Sequence, residues 1–253
     1  MKRKISGLLA VAAIAGLTAL PVRAQTPNPV SVAIELALLV DVSGSISTAE
    51  YNLQRQGYVN AFNDATIQNM IANTPGGVAV AYIEWSSGTQ QSLQVPWTVL
   101  TTQAEVAAFA TALSNVTRAF SGNTGPGSAI AFGAASIANN NISSSFQMMD
   151  VSGDGTENSG IDTSDARDAA LAAGIDRING LAIGGTSLQT WYANNVQGGA
   201  GSFTEAAATF SDFQDAIYRK LYREISTVPE GGPGMALFGL VMAGLVALRR
   251  KLS

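Results

Sequence analysis

The chain has 253 residues and a mass of 26.1 kDa, enough for one sizeable α/β domain or at most two small ones. It contains neither cysteine nor histidine, which excludes disulfides, thiolate catalysis, Ser-His-Asp triads and zinc sites built from His or Cys. All 18 acidic residues lie between Glu35 and Glu230, and only seven of the 14 basic residues lie in the same stretch. This stretch therefore has a formal charge of −11. Such a domain repels nucleic acid and anionic membranes, and it favours divalent cations or basic partners.

The first 24 residues have the pattern of a secretory signal peptide. A basic cluster at 2–4 precedes an apolar run at 5–20, and the Val-Arg-Ala tripeptide at 22–24 suits cleavage before Gln25. An uncleaved N-terminal anchor is the alternative. The signal peptide predicts export of the domain that follows, at 25–227.

The last residues, 228–253, combine a helix-breaking stretch, an apolar segment at 235–248 and a basic end. As a helix this apolar segment would rise about 21 Å, short of the roughly 30 Å hydrocarbon core, and its basic end is predicted to stay cytoplasmic. The arrangement resembles the PEP-CTERM sorting signals of bacteria, although the motif at 228–231 reads Val-Pro-Glu-Gly, without a proline after the glutamate. The resemblance implies recognition and cleavage by an exosortase-type membrane enzyme. A plain C-terminal membrane anchor is the alternative.

Between these ends, strand-like segments alternate with helical segments. The predicted strands are 30–42, 78–85, 94–100, 146–151, 178–183 and 202–207. The predicted helices are 47–62, 102–113, 127–138, 162–173, 187–196 and 211–225. Capping boxes at Ser47 and Thr102 open the first two helices. In the last helix, the basic residues Arg219, Lys220 and Arg223 are predicted to complement the helix dipole at its end.

This alternation predicts an α/β fold with a doubly wound, mostly parallel sheet and helices on both faces. One short antiparallel edge strand, 94–100, is expected to pair with 78–85 after a Ser-Ser-Gly turn. In such sheets ligands bind outside the carboxyl ends of the strands, which is therefore where the functional residues are expected.

Three loops at this edge contain small side chains that bear oxygen. The first loop has Asp41, Ser43 and Ser45, the second has Thr124 just before a helix, and the third has Asp154 followed by glycine. Two carboxylates and three hydroxyls form an oxygen-only set, which suits a hard cation such as Mg²⁺, Mn²⁺ or Ca²⁺. Because the hydroxyls bring no formal charge, a cation held mainly by them stays electrophilic and favours an external carboxylate.

These five residues resemble the metal-ion-dependent adhesion site (MIDAS) of the von Willebrand factor A (VWA) domain. The signature of that site is Asp-x-Ser-x-Ser, then a distant Thr, then a distant Asp before Gly. The resemblance implies that Ser43, Ser45 and Thr124 touch the metal directly, whereas Asp41 and Asp154 act directly or through water. It also implies one free coordination position for a partner's carboxylate.

The resemblance covers about 30–225 and extends to a subgroup of bacterial secreted VWA-like proteins whose function is not settled. The shared segments are Glu-Tyr-x-x-Gln-Arg-x-Gly-Tyr at 50–58, Ile-Glu-Trp at 83–85, Asp-Val-Ser-Gly-Asp-Gly at 150–155 and Asn-Gly-Leu-Ala-Ile at 179–183. This finer match bears on the fold more than on the activity.

Ordinary structural roles are open for each of these residues. The first loop could cap the helix that follows it, Thr124 could be an N-cap, and Asp154 could belong to a routine turn. Asp150, Ser152 and Asp154 also resemble half of an EF-hand calcium loop, but Ile161 stands where that loop needs glutamate.

Three functions compete at this point. The leading hypothesis is a non-enzymatic, metal-dependent adhesion module of the cell envelope or exported matrix, with Mg²⁺ as the first candidate cation. Its partner would be a protein or acidic polysaccharide that supplies a carboxylate. The alternative is a structural VWA domain with an empty or vestigial site. A metal-dependent phosphotransferase or hydrolase using Asp41 is the third hypothesis, but the chain has Ser43 in place of a second acid and no histidine.

Overall fold

The computed structural model describes residues 29–228, and a mixed sheet of seven strands forms the centre of this part of the chain. The strands are β1 Val30–Asp41, β2 Val78–Trp85, β3 Gln91–Leu100, β4 Ile142–Gly153, β5 Arg177–Ile183, β6 Gly198–Gly199 and β7 Thr204–Ala207. Their order is β3-β2-β1-β4-β5-β6, and β7 also pairs with β5. No helix among residues 29–228 is long and apolar enough to cross a membrane. The predicted signal peptide and the apolar segment at 235–248 lie outside the described residues.

Helices cover both faces of the sheet. They are α1 Thr48–Asn63, α2 Ala65–Ala72, α3 Gln103–Ser114, α4 Pro126–Ala138, α5 Thr163–Ala172, α6 Thr186–Asn195 and α7 Phe213–Ser226. One apolar cluster lies between the sheet and helices α1, α2, α3 and α7, a side we call the α1 face. The second cluster lies under α4, α5 and α6, on the α4 face. The predicted α/β class, with helices on both faces, is confirmed.

Local sequence signals explain where several helices begin. The capping boxes predicted at Ser47 and Thr102 are both present, each with the glutamate three residues later bonded back to the cap. Pro126 occupies the first turn of α4, where its missing N–H would have no partner in any case.

Three details of the sheet differ from the predictions. The antiparallel edge strand is not short, because β3 has ten residues and begins at Gln91. A second antiparallel pairing, between β5 and the two-residue β6, was not predicted, since two glycines give no strand signal. The strand predicted at 146–151 also begins earlier, at Ile142.

Two features of the helices also differ from the predictions. Helix α2 was missed, and Asp64 explains it: the Asp64 side chain accepts hydrogen bonds from the Thr66 and Ile67 amides and so starts a new helix where α1 ends. Lys220 does not lie at a solvated helix end, because it is fully buried and paired with Asp150 and Glu224.

The register of the central strands determines what lies at the carboxyl edge. β1 pairs in parallel with β2 and with β4, and Val40 lies opposite Ser152. Asp41, the last residue of β1, therefore lies beside Gly153, the last residue of β4. The loops that follow these two strands leave the sheet side by side.

Candidate metal site

The loop after β1 places three oxygen-bearing side chains close together. Asp41 is fully buried, and its Oδ1 accepts a 2.7 Å hydrogen bond from the Ser43 amide. The hydroxyls of Ser43 and Ser45 lie 3.2 Å apart. Ser43 is also fully buried, whereas Ser45 is exposed, so the cluster opens to solvent at Ser45.

The loop after β4 joins this cluster through Asp154. The Ser45 hydroxyl donates a 2.7 Å hydrogen bond to Asp154 Oδ1, across 109 residues of sequence. The predicted first and third loops therefore do meet at the carboxyl edge of the sheet.

The second loop lies against both of the others. The Gly44 amide donates to the Gly122 carbonyl at 2.7 Å, which ties the first loop to the second. The Thr124 hydroxyl oxygen lies 3.6 Å from the point where a Cβ on Gly155 would stand, so Thr124 is close to the third loop. Asn158 holds Thr124 there, because its side chain accepts from the Thr124 amide and its own amide donates to the Thr124 carbonyl. The five predicted site residues thus lie together.

The alternative structural roles do not account for these residues. Helix α1 is capped by Ser47, and α4 has Gly125 as its N-cap with no side-chain cap bond, so neither the first loop nor Thr124 serves as a cap. The EF-hand alternative is wrong, because Asp150 and Ser152 belong to β4. Their side chains contact Lys220 and Tyr58 on the α1 face.

Arg118 is a supporting residue that sequence reasoning missed. Its guanidinium donates to the Val42 carbonyl at 2.9 Å, the Ser43 carbonyl at 2.6 Å and the Phe120 carbonyl at 2.9 Å. It therefore fixes the backbone of the first loop from outside the site. A lone arginine in a loop has no sequence signal for this role. Gln54 adds a 2.9 Å bond from α1 to the Asp41 carbonyl.

The electrostatics of the site favour a cation. Burial raises the pKa of Asp41 to about 7, the Ser43 hydrogen bonds lower it, and the nearby Asp154 raises it again. Burial also raises the pKa of Asp154. Asp41 Oδ2 is buried and has no hydrogen-bond partner among the described residues. Because both carboxyls are hard to ionise without a counter-charge, a cation among them would stabilise their charged forms.

The donor set fits a hard cation more than a transition metal. The described residues contain no group of three or more His, Cys, Asp and Glu side chains that could hold a metal. Any cation here would therefore depend on hydroxyl oxygens beside two carboxylates, as a Mg²⁺ or Ca²⁺ site can. The unpartnered oxygen of Asp41 is consistent with that role.

Comparison with solved structures identifies the class of fold. Proximal thread matrix protein 1 (PTMP1) from the mussel byssus matches with a TM-score of 0.59 and 15% identity, over 76% of this chain and 48% of that one. PTMP1 with a zinc-occupied MIDAS motif matches with a TM-score of 0.54 and 14% identity, over 76% and 48%. The pilus adhesin SpaC from Lactobacillus rhamnosus GG matches with a TM-score of 0.56 and 17% identity, over 77% and 31%.

These matches define a VWA-like fold, and this chain spans about half or less of the length of these three structures. The chain belongs to the family described as protein of unknown function (DUF1194), whose model matches residues 31–229. A search of curated proteins found no match.

Proposed function

We propose that this protein is an exported, non-enzymatic binding module that holds a divalent cation, Mg²⁺ first, and through it captures a carboxylate of a partner. The cation would be held by Asp41, Ser43, Ser45, Thr124 and Asp154. The observation that carries the proposal is the hydrogen bond from Ser45 to Asp154, which joins the loops after β1 and β4, beside a buried Asp41 whose Oδ2 has no partner among the described residues.

The charge of the site supports capture of an anion through the metal. Three of the five ligands are neutral hydroxyls, so a divalent ion would keep much of its positive charge. Without the ion, the two carboxyls would repel an acidic partner. Binding of a carboxylate from a protein or an acidic polysaccharide would therefore depend on the metal.

The site offers little support for catalysis. The chain has no histidine, and Lys220 is buried on the α1 face with Asp150, away from the site. The names of the similar structures, a thread matrix protein and a pilus adhesin, are those of non-enzymatic proteins. We infer that the chain is not an enzyme.

We also propose the domain boundaries and the location. Residues 1–24 would be removed as a signal peptide, 25–227 would form the exported domain, and 228–253 would act as a sorting signal read by an exosortase-type enzyme. The domain would then be anchored in the membrane through 235–248, or released to the cell surface or matrix after cleavage. A pulse-chase of the expressed protein, followed by mass spectrometry of its termini, tests both cleavages.

Thermal unfolding tests the metal site. The purified protein is stripped with chelator and then given Mg²⁺, Mn²⁺ or Ca²⁺. A ligand at 100 times its Kd adds about 2.7 kcal/mol of stability, and a domain of this size gains roughly 2–4 °C per kcal/mol, so we expect a rise of about 5–10 °C.

The variants Asp41→Ala and Asp154→Ala are expected to lose this rise. Asp168→Ala, which removes a carboxylate from an exposed surface pair with Arg167, is the matched control and should keep it. A flat response of the wild-type protein to all three ions would contradict the proposal and favour a structural domain with a vestigial site.

A further inference from the structure

Tyr192 is buried next to the candidate metal site but is not one of its five proposed ligands. It lies on α6, is fully buried, and its hydroxyl has no hydrogen-bond partner among residues 29–228. A Cβ on Gly153 would stand 2.7 Å from Asp41 Oδ2 and closer still to the Tyr192 hydroxyl. The phenol oxygen and the carboxylate oxygen therefore both border the space left by the missing side chain of Gly153, at the end of β4.

Two glycines in neighbouring strands make room for this arrangement. A side chain on Gly153 would collide with both oxygens, and a Cβ on Gly180 of β5 would lie 3.0 Å from the Tyr192 ring. Glycine weakens a strand, so a glycine in each of these two strands indicates a place where another group must approach the backbone closely. Here that group is the Tyr192 side chain.

The two oxygens are complementary. A phenol keeps its proton at neutral pH, so the Tyr192 hydroxyl is a hydrogen-bond donor. Asp41 Oδ2 is an acceptor that receives no hydrogen bond from residues 29–228. Buried polar atoms are nearly always paired in proteins, so these two complementary atoms are candidates for a hydrogen bond with each other.

We propose that Tyr192 is a positioning residue of the metal site: its hydroxyl donates to Asp41 Oδ2 when the cation is bound, and so orients that carboxylate. This inference rests on the proposed metal site. Hydrogen-bonding partners of metal ligands typically contribute 10–100-fold to metal affinity. Tyr192→Phe is therefore expected to weaken Mn²⁺ binding by about 10–100-fold, without changing the number of ions bound.

The same variant should behave differently without metal. Phenylalanine keeps the ring and removes a hydroxyl that has no hydrogen-bond partner among the described residues, so the unfolding temperature in chelator should stay equal or rise. Tyr82→Phe is the matched control, because Tyr82 is also fully buried with an unpartnered hydroxyl but packs on the α1 face. Tyr82→Phe should show the same stability in chelator and wild-type affinity for Mn²⁺.

The experiment is a calorimetric Mn²⁺ titration of wild type and both variants, with tyrosine ultraviolet difference spectra recorded on metal addition. The wild-type difference band, produced by a phenol that gains a charged hydrogen-bond acceptor, should persist in Tyr82→Phe and disappear in Tyr192→Phe. Affinity of Tyr192→Phe within twofold of wild type, or an affinity loss matched by a loss of metal-free stability, would overturn the inference. Failure of the wild-type protein to bind Mn²⁺ would instead refute the proposed metal site itself.

Discussion

Replacement of Lys220 by methionine should destabilise this domain strongly. Lys220 is fully buried, its Nζ lies 2.7 Å from Asp150 Oδ1, and it also pairs with Glu224. Both carboxyls are fully buried, and Asn179 is a further partner of Glu224, at 2.9 Å. Methionine preserves the length of the side chain and removes the only basic group that pairs with these two acids among the described residues.

The size of the effect follows from the uncompensated charge. Removal of one partner from a buried ion pair costs about 3–5 kcal/mol. At roughly 2–4 °C per kcal/mol, the unfolding temperature in chelator at pH 7.5 should fall by about 6–20 °C. The neighbouring Arg219→Met removes an exposed ion pair with Glu205 and should cost only about 0–1 kcal/mol.

The pH dependence provides a second check on Lys220→Met. Burial raises the pKa of Glu224 to about 7 and also raises that of Asp150. Without the lysine these pKa values should rise further, so both carboxyls would bind protons at pH 5.5. The loss of stability relative to wild type should therefore be smaller at pH 5.5 than at pH 7.5. Thermal and urea unfolding at both pH values measure this. A loss at pH 7.5 no larger than that of Arg219→Met would refute the reasoning.

Three further predictions follow from the described contacts. Because the pKa of Asp41 is raised to about 7 and metal binding needs the ionised form, Mn²⁺ affinity measured by calorimetry should fall on the order of 20-fold from pH 7.5 to 5.5; a flat profile would contradict this. The stability of the metal-free protein should depend on pH in the opposite direction. Because the carboxyl pKa is higher in the folded state than in the unfolded state, the free energy of unfolding falls as pH rises from about 4 to 7. Arg118→Ala should weaken Mn²⁺ binding, whereas Arg55→Ala, which removes bonds to the Ser114 and Val116 carbonyls only, should not; equal affinities would refute a positioning role. Gly57→Ala should lower the unfolding temperature by an amount equivalent to about 1–3 kcal/mol, despite alanine's helix propensity, because its Cβ would lie 2.6 Å from the Phe213 ring; a more stable variant would contradict this.

Much of the fold and the grouping of the five site residues could be predicted from the sequence. Asp41 ends one strand and Asp154 directly follows another, and parallel strands bring their carboxyl ends to one edge. Capping boxes are local signals, so the starts of α1 and α3 were also predictable. The contact between Ser45 and Asp154 follows from this topology, although the sequence alone could not supply its distance.

The features that were missed depend on contacts between distant parts of the chain. The burial of Lys220 depends on where α7 packs against β4, and helix periodicity does not reveal that Asp150 faces it. The role of Arg118 depends on carbonyl groups 75 and 76 residues away. Tyr192 is the one buried residue of helix α6. Its ring packs against β4 and β5 because Gly153 and Gly180 have no side chains there, and this contact cannot be predicted from the helix sequence.

The central claim is that one divalent cation binds where the loops after β1 and β4 meet. Its most direct test is a calorimetric titration of the chelator-stripped protein with Mn²⁺ at pH 7.5, beside Asp41→Ala and the surface control Asp168→Ala. We expect one ion per chain for the wild type and the control, and no binding by Asp41→Ala with its metal-free fold intact. No binding by the wild type, or equal binding by folded Asp41→Ala, would contradict it.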